Sequence, residues 1–275
     1  MLLEQARRAS GEEKARLFTL ASEKCMAALA IKPNDHEVLD SLGAILFERA
    51  KQAGGEEALR LFALADEKYA AALVIKPDDH AVLSNWGALL SEQARHARGD
   101  EASRLLILAG EKYAAALAIK PDLLEALNNW AAVLSDQAGR VGEEDASRLF
   151  VLADAKYAAA IAVKPNDSEV LNNWGSLFTD QAKRADGEKA LRLFALADEK
   201  FTAALKIDPS NTYNIACLAA LRGNELQCRT NLESAETQGT LPSHEHLVGD
   251  VDLESMREKP WFRELLARQK AKADD

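Results

Sequence analysis

Three pairs of small polar residues recur in this chain at a constant spacing of 44 residues. The pairs are Ser84 with Asn85, Asn128 with Asn129, and Asn172 with Asn173. An asparagine side chain carries hydrogen-bond donors and an acceptor, so a row of such amides can bind a peptide backbone with little regard to its sequence. The same amides can instead bond a neighbouring helix or the backbone of a turn, and the sequence leaves both interpretations open.

A row of carboxylates follows at the same spacing, and its members are Glu48, Glu92, Asp136 and Asp180. One negative charge per repeat would favour a basic ligand. A cation follows three or four residues after each of them, at Lys51, Arg95, Arg140 and Arg184. Pairs at that spacing on a helix contribute about 0.2–0.5 kcal/mol each. Solvated ion pairs are the simpler interpretation, while Glu92, Asp136 and Asp180 are kept as candidate contacts of a peptide.

Catalytic chemistry has little support in the sequence. We find no nucleophile paired with a base, no glycine-rich phosphate loop and no pair of catalytic carboxylates. His244, Glu245 and His246 form one candidate metal trio, but two histidines two residues apart, without further ligands nearby, are a weak signal. We therefore predict that the chain is not an enzyme and has no cofactor and no metal site.

Charge and hydropathy narrow the class of partner. With 34 basic and 44 acidic side chains the net charge is −10, and no long basic stripe is present, so we expect no nucleic-acid partner. The start of the chain lacks a signal-peptide pattern, and no segment approaches the roughly 20 uncharged residues that span a bilayer. We predict a cytoplasmic protein without a membrane partner. Cys25, Cys217 and Cys228 show no metal or disulfide spacing, so we expect reduced, packed thiols.

The polar rows lie within a longer repeat, because prolines recur at positions 33, 77, 121, 165 and 209. Between them, segments such as AVLSNWGALLSEQA and EALNNWAAVLSDQA place apolar residues at helical spacing. Each unit therefore reads as two amphipathic helices, and such a pair buries its apolar face only when a neighbour covers it. The Ala and Leu content favours helix throughout. We predict an all-α fold of stacked helix pairs.

Glycines and helix-capping residues recur at fixed places in the units and predict where helices end and begin. Glycines at positions 55, 99, 142 and 187 lie between the two helices, and we expect each to end a first helix in left-handed backbone. Asn34, Asp122 and Asn166 each stand three residues before a glutamate, which is the reciprocal capping pattern of a helix start. Each helix is predicted to have about 18 to 20 residues.

These landmarks resemble the tetratricopeptide repeat. Trp86, Gly87 and Leu90 are similar to the landmark residues of its first helix. Ala109, Tyr113, Ala116 and Pro121 are similar to those of its second helix and the proline that closes it. The resemblance covers residues 11 to 209 and departs from the 34-residue family period by 10 extra residues per unit. It implies an α-solenoid, a superhelix of stacked antiparallel helix pairs, in which Trp86, Trp130 and Trp174 pack between helices.

In that family the first helices line a concave groove where peptides dock, which would place all six residues of the polar pairs on the groove. The resemblance thus implies a non-enzymatic scaffold that binds a protein or peptide segment. A carboxylate clamp is disfavoured, because Asp40, Ser84, Asn128 and Asn172 occupy one clamp position. The alternative is a self-assembly module that forms homo-oligomers through uncovered terminal helices. No full partner covers the helix at about 11 to 31, so either the array is part of a longer one or another copy of the chain covers that face.

The end of the chain resembles the segment that closes many bacterial tetratricopeptide arrays. We predict a repeat array over residues 1–209 with a partial first repeat, a shorter helix pair over 210–238, and a loop with a C-terminal capping helix over 239–275. Trp261, Phe262, Leu265 and Leu266 form an apolar patch on that last helix. We interpret it as a lid on the preceding pair; the alternative is a helix offered to a partner's groove.

Overall fold

The computed structural model describes residues 2–274, and over that range it contains helices and no strand. The chain divides into two compact units, residues 1–149 and 150–275. The first unit holds α1 (Leu2–Arg8), α2 (Gly11–Ile31), α3 (His36–Ala50), α4 (Gly55–Ile75), α5 (His80–His96), α6 (Gly99–Ile119), α7 (Leu124–Ala138) and the start of α8 (Glu143–Val163). The second unit holds the rest of α8, α9 (Ser168–Lys183), α10 (Gly187–Ile207), α11 (Tyr213–Leu221), α12 (Glu225–Gln238), α13 (His244–Gly249), a 3₁₀ helix (Val251–Met256) and α14 (Pro260–Asp274).

Each full repeat contributes a short first helix and a long second helix. The first helices α3, α5, α7 and α9 have 15 to 17 residues, whereas the second helices α2, α4, α6, α8 and α10 all have 21. The predicted equal lengths of 18 to 20 residues are therefore wrong. Within each unit consecutive helices pack as hairpins, and the predicted fold class, all-α with stacked antiparallel helix pairs, is confirmed. The predicted boundaries at residues 209 and 238 stay predictions.

The glycines between the helices have a different role from the predicted one. Gly55, Gly99 and Gly187 do adopt left-handed backbone, with φ of +54°, +57° and +53°, but each is the first residue of a second helix rather than the end of a first helix. Gly142 lacks a positive φ and precedes α8. The left-handed residue redirects the chain into the second helix, and glycine adopts that conformation without steric cost.

The caps of the first helices lie one residue later than predicted. Asp35 and Asp167, rather than Asn34 and Asn166, precede α3 and α9, and their carboxylates accept hydrogen bonds from Val38 N at 3.3 Å and Val170 N at 3.0 Å. The earlier position belongs to the turn after the proline. In the third unit Leu123, not Asp122, precedes α7, and it provides no side-chain cap.

This difference gives a stability prediction. Asp167→Ala should lower the free energy of unfolding by about 1 kcal/mol because it removes the cap, and Leu123→Asp should raise it by a similar amount by adding one. Burial alone would raise the pKa of Asp167, but the hydrogen bonds from Lys164 and from the Val170 backbone hold it below its usual value. The contribution of Asp167 is thus present above about pH 4, the pKa of an unfolded aspartate, and is lost as the pH falls through the lower folded pKa. Urea denaturation at pH 7 and pH 3 measures both effects, and equal stability of Asp167→Ala and the parent at pH 7 would contradict the cap.

A glycine on three of the first helices, α3, α5 and α9, faces an aromatic ring on the second helix, whereas α7 has Ala131 at this position. A Cβ at Gly43 would lie 2.7 Å from the Tyr69 ring, and a Cβ at Gly87 would lie 2.8 Å from the Tyr113 ring. Both tyrosines are fully buried. The missing side chain therefore lets the two helices of a hairpin close around the ring.

The tryptophans are half-buried and link helices rather than filling the core alone. Trp86 Nε1 donates to Asp66 Oδ1 of α4 at 2.6 Å, and Lys112 Nζ of α6 lies 3.7 Å from the centre of the indole. In the second unit Trp174 donates to Asp154 at 2.7 Å, and Lys200 Nζ lies 4.3 Å from its ring. The interpretation as packing residues holds, with a polar contact on each side of the ring.

The end of the chain is more ordered than the predicted loop, because residues 244 to 256 form α13 and the 3₁₀ helix. Phe262 and Leu265 of α14 are fully buried in one cluster with Cys228 and Leu232 of α12. Trp261 Nε1 donates to Glu225 Oε1 at 2.9 Å. This packing agrees with the lid interpretation. The three cysteines are free thiols, and burial raises the pKa of Cys228 to about 12.

Candidate functional site

In each unit, the surface of the first helices that carries the predicted polar pairs is called the first-helix face. In the first unit this face contains a hydrogen bond between successive repeats. Asn85 Nδ2 of α5 donates to Asp40 Oδ1 of α3 at 3.0 Å. Burial raises the pKa of Asp40, although the bond from Asn85 opposes the rise. The amide nitrogen of Asn85 therefore bonds to the preceding repeat. Its Oδ1 accepts no hydrogen bond from any residue in the described range.

Ser84 and Asn128 lie deeper than predicted. Each is the first residue of its pair, and because the helix turns by about 100° from one residue to the next, the two members of a pair face different directions. Both residues are only 6% exposed. Asn128 Nδ2 donates to Asn129 Oδ1 at 3.3 Å, so it orients the half-buried Asn129. The buried hydroxyl of Tyr113 lies close to Asn129 as well, and its pKa is raised by burial. Asn128 is thus placed to orient Asn129, and the burial of Ser84 leaves little of its side chain for a ligand.

The second unit presents Asn172 and Asn173, which are both half-buried on α9. Ser176 Oγ donates to the backbone oxygen of Asn172 at 3.2 Å, and Asn214 Nδ2 of α11 donates to Ser176 Oγ at 3.4 Å. The side-chain amide of Asn172 makes no hydrogen bond to another residue between 2 and 274. This amide retains its full capacity for a ligand.

Three carboxylates of the row, Glu48, Glu92 and Asp180, form ion pairs. Glu92 lies 3.4 Å from Arg95 and 3.4 Å from His96, and Glu48 lies 2.8 Å from Lys51. Asp180 pairs with Lys183 at 3.0 Å rather than with the predicted Arg184, and Lys183 also bonds Asp252 at 3.0 Å. Asp136 is exposed on α7. These pairs support the solvated-pair interpretation and leave less negative charge for a basic ligand.

The histidine pair near the end of the chain opens α13. Ser243 caps this helix by accepting from His246 N at 3.3 Å, and the His246 ring packs edge-on against Tyr213 at 5.7 Å. Among the described residues, no group of three or more His, Cys, Asp or Glu side chains is arranged to hold a metal ion.

The sequence did not predict two clefts between the second helices of the first unit. One has a volume of about 430 Å³ and lies between α4 and α6, with Trp86 and Leu90 of α5 lining it. The other has a volume of about 380 Å³ and includes Ile107 of α6 and Val141. In the sequence, the only indication of these clefts that we identify is the presence of the apolar residues Leu59 and Ile107 at positions outside the apolar stripe that forms the core.

Comparison with known proteins bears on the fold alone. No family model matches the sequence, and no curated protein matches it. Among solved structures, TTC0263, a thermophilic TPR protein of Thermus thermophilus, is similar over 82% of this chain and 97% of its own, at 15% identity and a TM-score of 0.53. PilF of Pseudomonas aeruginosa is similar over 93% of this chain and 95% of its own, at 15% identity and a TM-score of 0.57. The chain therefore has a tetratricopeptide-like helical-repeat fold, as its repeat landmarks predicted.

The length and polarity of the helices also bear on membranes. Over the described range, none of the helices combines the length and the apolar character that crossing a bilayer requires.

Proposed function

We propose that the chain is a non-enzymatic protein-interaction scaffold that binds extended protein segments on the first-helix face of each unit. The observation that carries the proposal is the unfilled hydrogen-bonding capacity of half-buried amides, namely Asn85 Oδ1 in the first unit and the whole Asn172 amide in the second. A partly desolvated amide gains more from a partner than an amide in bulk water. The backbone of an extended segment supplies both donors and acceptors.

The other candidate residues contribute to this proposal as contacts, as supporting residues or as the rim of the face. Asn129 adds an amide beside the buried Asn128 in the first unit, and Asn173 adds one beside the half-buried Asn172 in the second unit. Asn128 orients Asn129 through its hydrogen bond, and Ser84 is buried. Glu92, Asp136 and Asp180 form the rim, where ion pairs with Arg95 and Lys183 hold two of them. Rim charges of this kind tune the rate and salt dependence of association more than its strength.

The test uses a peptide selected from a displayed random library against the full chain. Asn172→Ala combined with Asn173→Ala should weaken binding of that peptide by about 1 to 3 kcal/mol, or roughly 5- to 150-fold, because neutral hydrogen bonds to the backbone are lost. Fluorescence anisotropy gives the affinity, and circular dichroism checks that helicity is unchanged.

The matched control lies on the other helix of the same repeat. Leu191→Ala changes an exposed residue of α10 and should leave the affinity unaltered. Unchanged binding by the double asparagine variant, or a loss caused by Leu191→Ala, would reject the first-helix face as the binding surface.

Self-assembly is the second candidate, and the exposure of Leu20 and Met26 on α2 favours it. Apolar side chains on this helix would be covered if two copies met through it. Light scattering separates the candidates, because self-assembly requires a mass that rises with concentration, whereas a constant mass of 30.0 kDa removes it.

A further inference from the structure

The first-helix face of the second unit contains a small polar pocket, hereafter the Phe201 pocket. It has a volume of about 50 Å³, and the buried ring of Phe201 from α10 forms part of its wall. Its polar lining consists of Ser176, Thr179, Asp180, Asn214, Cys217 and Asp252. Ser176 stands one helical turn after Asn172 on α9 and bonds its backbone oxygen. The pocket therefore adjoins the amide on which the proposed function depends.

Phe201 occupies a position that is a tyrosine in the three preceding repeats. All four rings are buried, and the tyrosines are Tyr69, Tyr113 and Tyr157. The ring of Phe201 faces Gly175 of its hairpin as the ring of Tyr113 faces Gly87. The two rings therefore take the same place in their repeats, but only the tyrosine carries a hydroxyl beyond the ring.

The side chains around the Tyr113 hydroxyl correspond to residues of the pocket. Ser91 and Asn129 lie close to that hydroxyl. Two 44-residue repeats later the sequence has Thr179 and Cys217, and both line the Phe201 pocket. The pocket thus lies where the hydroxyl of a tyrosine at position 201 would reach.

The Phe201 pocket presents unused hydrogen-bond acceptors. Asn214 Nδ2 donates to Ser176 Oγ at 3.4 Å, whereas Asn214 Oδ1 accepts from no residue between 2 and 274. Thr179 Oγ1 donates to a backbone oxygen of α9 at 3.1 Å, which leaves its own lone pairs available. A hydroxyl group can donate to either of these oxygens. The pocket therefore favours an occupant that donates a hydrogen bond.

The charges beside the pocket favour a neutral occupant. Lys183 Nζ lies 3.0 Å from Asp180 and 3.0 Å from Asp252, so it already pairs with both carboxylates. A second cation would have to displace Lys183, and an anion would meet the two carboxylates. A neutral donor needs neither change.

The volume limits the size of that donor. One water molecule needs roughly 10–15 Å³ in a cavity, so a pocket of about 50 Å³ has room for about three non-hydrogen atoms. The side chains of serine and threonine fit this limit. Amide, phenol and indole side chains exceed it.

We propose that the Phe201 pocket binds a serine or threonine side chain of the extended segment, a step that rests on the proposed function. The hydroxyl donates to Asn214 Oδ1 or Thr179 Oγ1, and the methyl group of a threonine packs against the Phe201 ring. The pocket makes the second unit selective at one position of a segment that the amides hold by its backbone. A phosphorylated serine is rejected, because its phosphate is too large and meets the charge of Asp180.

The test uses peptides selected from a displayed random library against the full chain, and retains those whose affinity falls with Asn172→Ala and Asn173→Ala. Each position of a retained peptide is replaced in turn by serine, threonine, alanine, lysine and phosphoserine. At one position serine or threonine should bind about 3- to 10-fold more tightly than alanine or lysine, because one neutral hydrogen bond is gained. Phosphoserine at that position should bind more weakly than alanine. Fluorescence anisotropy gives each affinity.

Phe201→Tyr tests the pocket directly, because the added hydroxyl occupies it. This variant should remove the preference for serine or threonine while the peptide still binds through the amides. Thr179→Val keeps the volume, removes one acceptor and should reduce the same preference. Tyr113→Phe is the matched control, since it changes the equivalent ring of the first unit and should leave the preference unaltered. Circular dichroism checks the helicity of every variant.

The outcomes separate the pocket from the proposed function. If no selected peptide depends on Asn172 and Asn173, the proposed function fails and the hydroxyl pocket fails with it. If peptides do depend on them, three results overturn the hydroxyl pocket alone. These are equal binding of serine and alanine at every position, a preference for lysine, and a hydroxyl preference that survives in Phe201→Tyr.

Discussion

Phe262→Ala is expected to destabilise the second unit by about 3 to 5 kcal/mol. The Phe262 side chain is fully buried, and its cluster joins α14 to Cys228 and Leu232 of α12 and to Met256 of the 3₁₀ helix. Truncation removes the ring from these contacts and leaves a cavity that the helices fill only in part. Chemical denaturation followed by circular dichroism gives the change in unfolding free energy, and hydrogen exchange in α11 and α12 shows where protection is lost.

The matched control is Leu226→Ala on α12, because Leu226 is an exposed apolar residue on the helix that α14 covers. Its cost should stay within about 0.5 kcal/mol. A cost below about 1 kcal/mol for Phe262→Ala would contradict a lid and favour the alternative in which the last helix serves a partner's groove.

Gly175→Ala is expected to cost about 1 to 3 kcal/mol, although alanine is the better helix former. A Cβ at position 175 would lie 2.5 and 2.6 Å from two atoms of the Phe201 ring, so either the ring or the helix must move. The gain in helix propensity is about 1 kcal/mol and does not offset this overlap. The measured quantity is again the free energy of unfolding.

A double-mutant cycle identifies the cause of that cost. Phe201→Leu removes ring atoms from the overlap, so adding it to Gly175→Ala should cost less than the sum of the two single changes. Gly249→Ala is the control, because no atom lies within 4 Å of its added Cβ. Strict additivity of Gly175→Ala and Phe201→Leu would show that the two positions do not press on each other.

The fold could be predicted because its main determinant is periodic. Apolar spacing and the recurring prolines define helix pairs that must stack, whatever the local details. The exact helix starts could not, since Asn34 and Asp35 are both good caps and the turn after Pro33 decides between them. The left-handed glycines were recognisable, but the helix to which Gly99 belongs depends on where the backbone turns.

The candidate site was predictable only in outline. The amides do recur on the first helices, yet the Asn85 bond to Asp40 depends on the distance between successive first helices, which a sequence does not contain. Helical rotation of 100° per residue separates Ser84 from Asn85 and explains why one is buried and the other half-exposed. The larger cleft between second helices depends on the spacing of α4 and α6, and no local sequence pattern encodes that spacing.

The contacts of the tryptophans limit how such an array can change in length. Trp86 meets an aspartate 20 positions earlier and a lysine 26 positions later, and Trp174 meets its own pair at the same two offsets. Gain or loss of one complete 44-residue module preserves both offsets, whereas a shorter indel between partners shifts one of them. Growth by whole modules therefore needs no compensating substitution at these junctions.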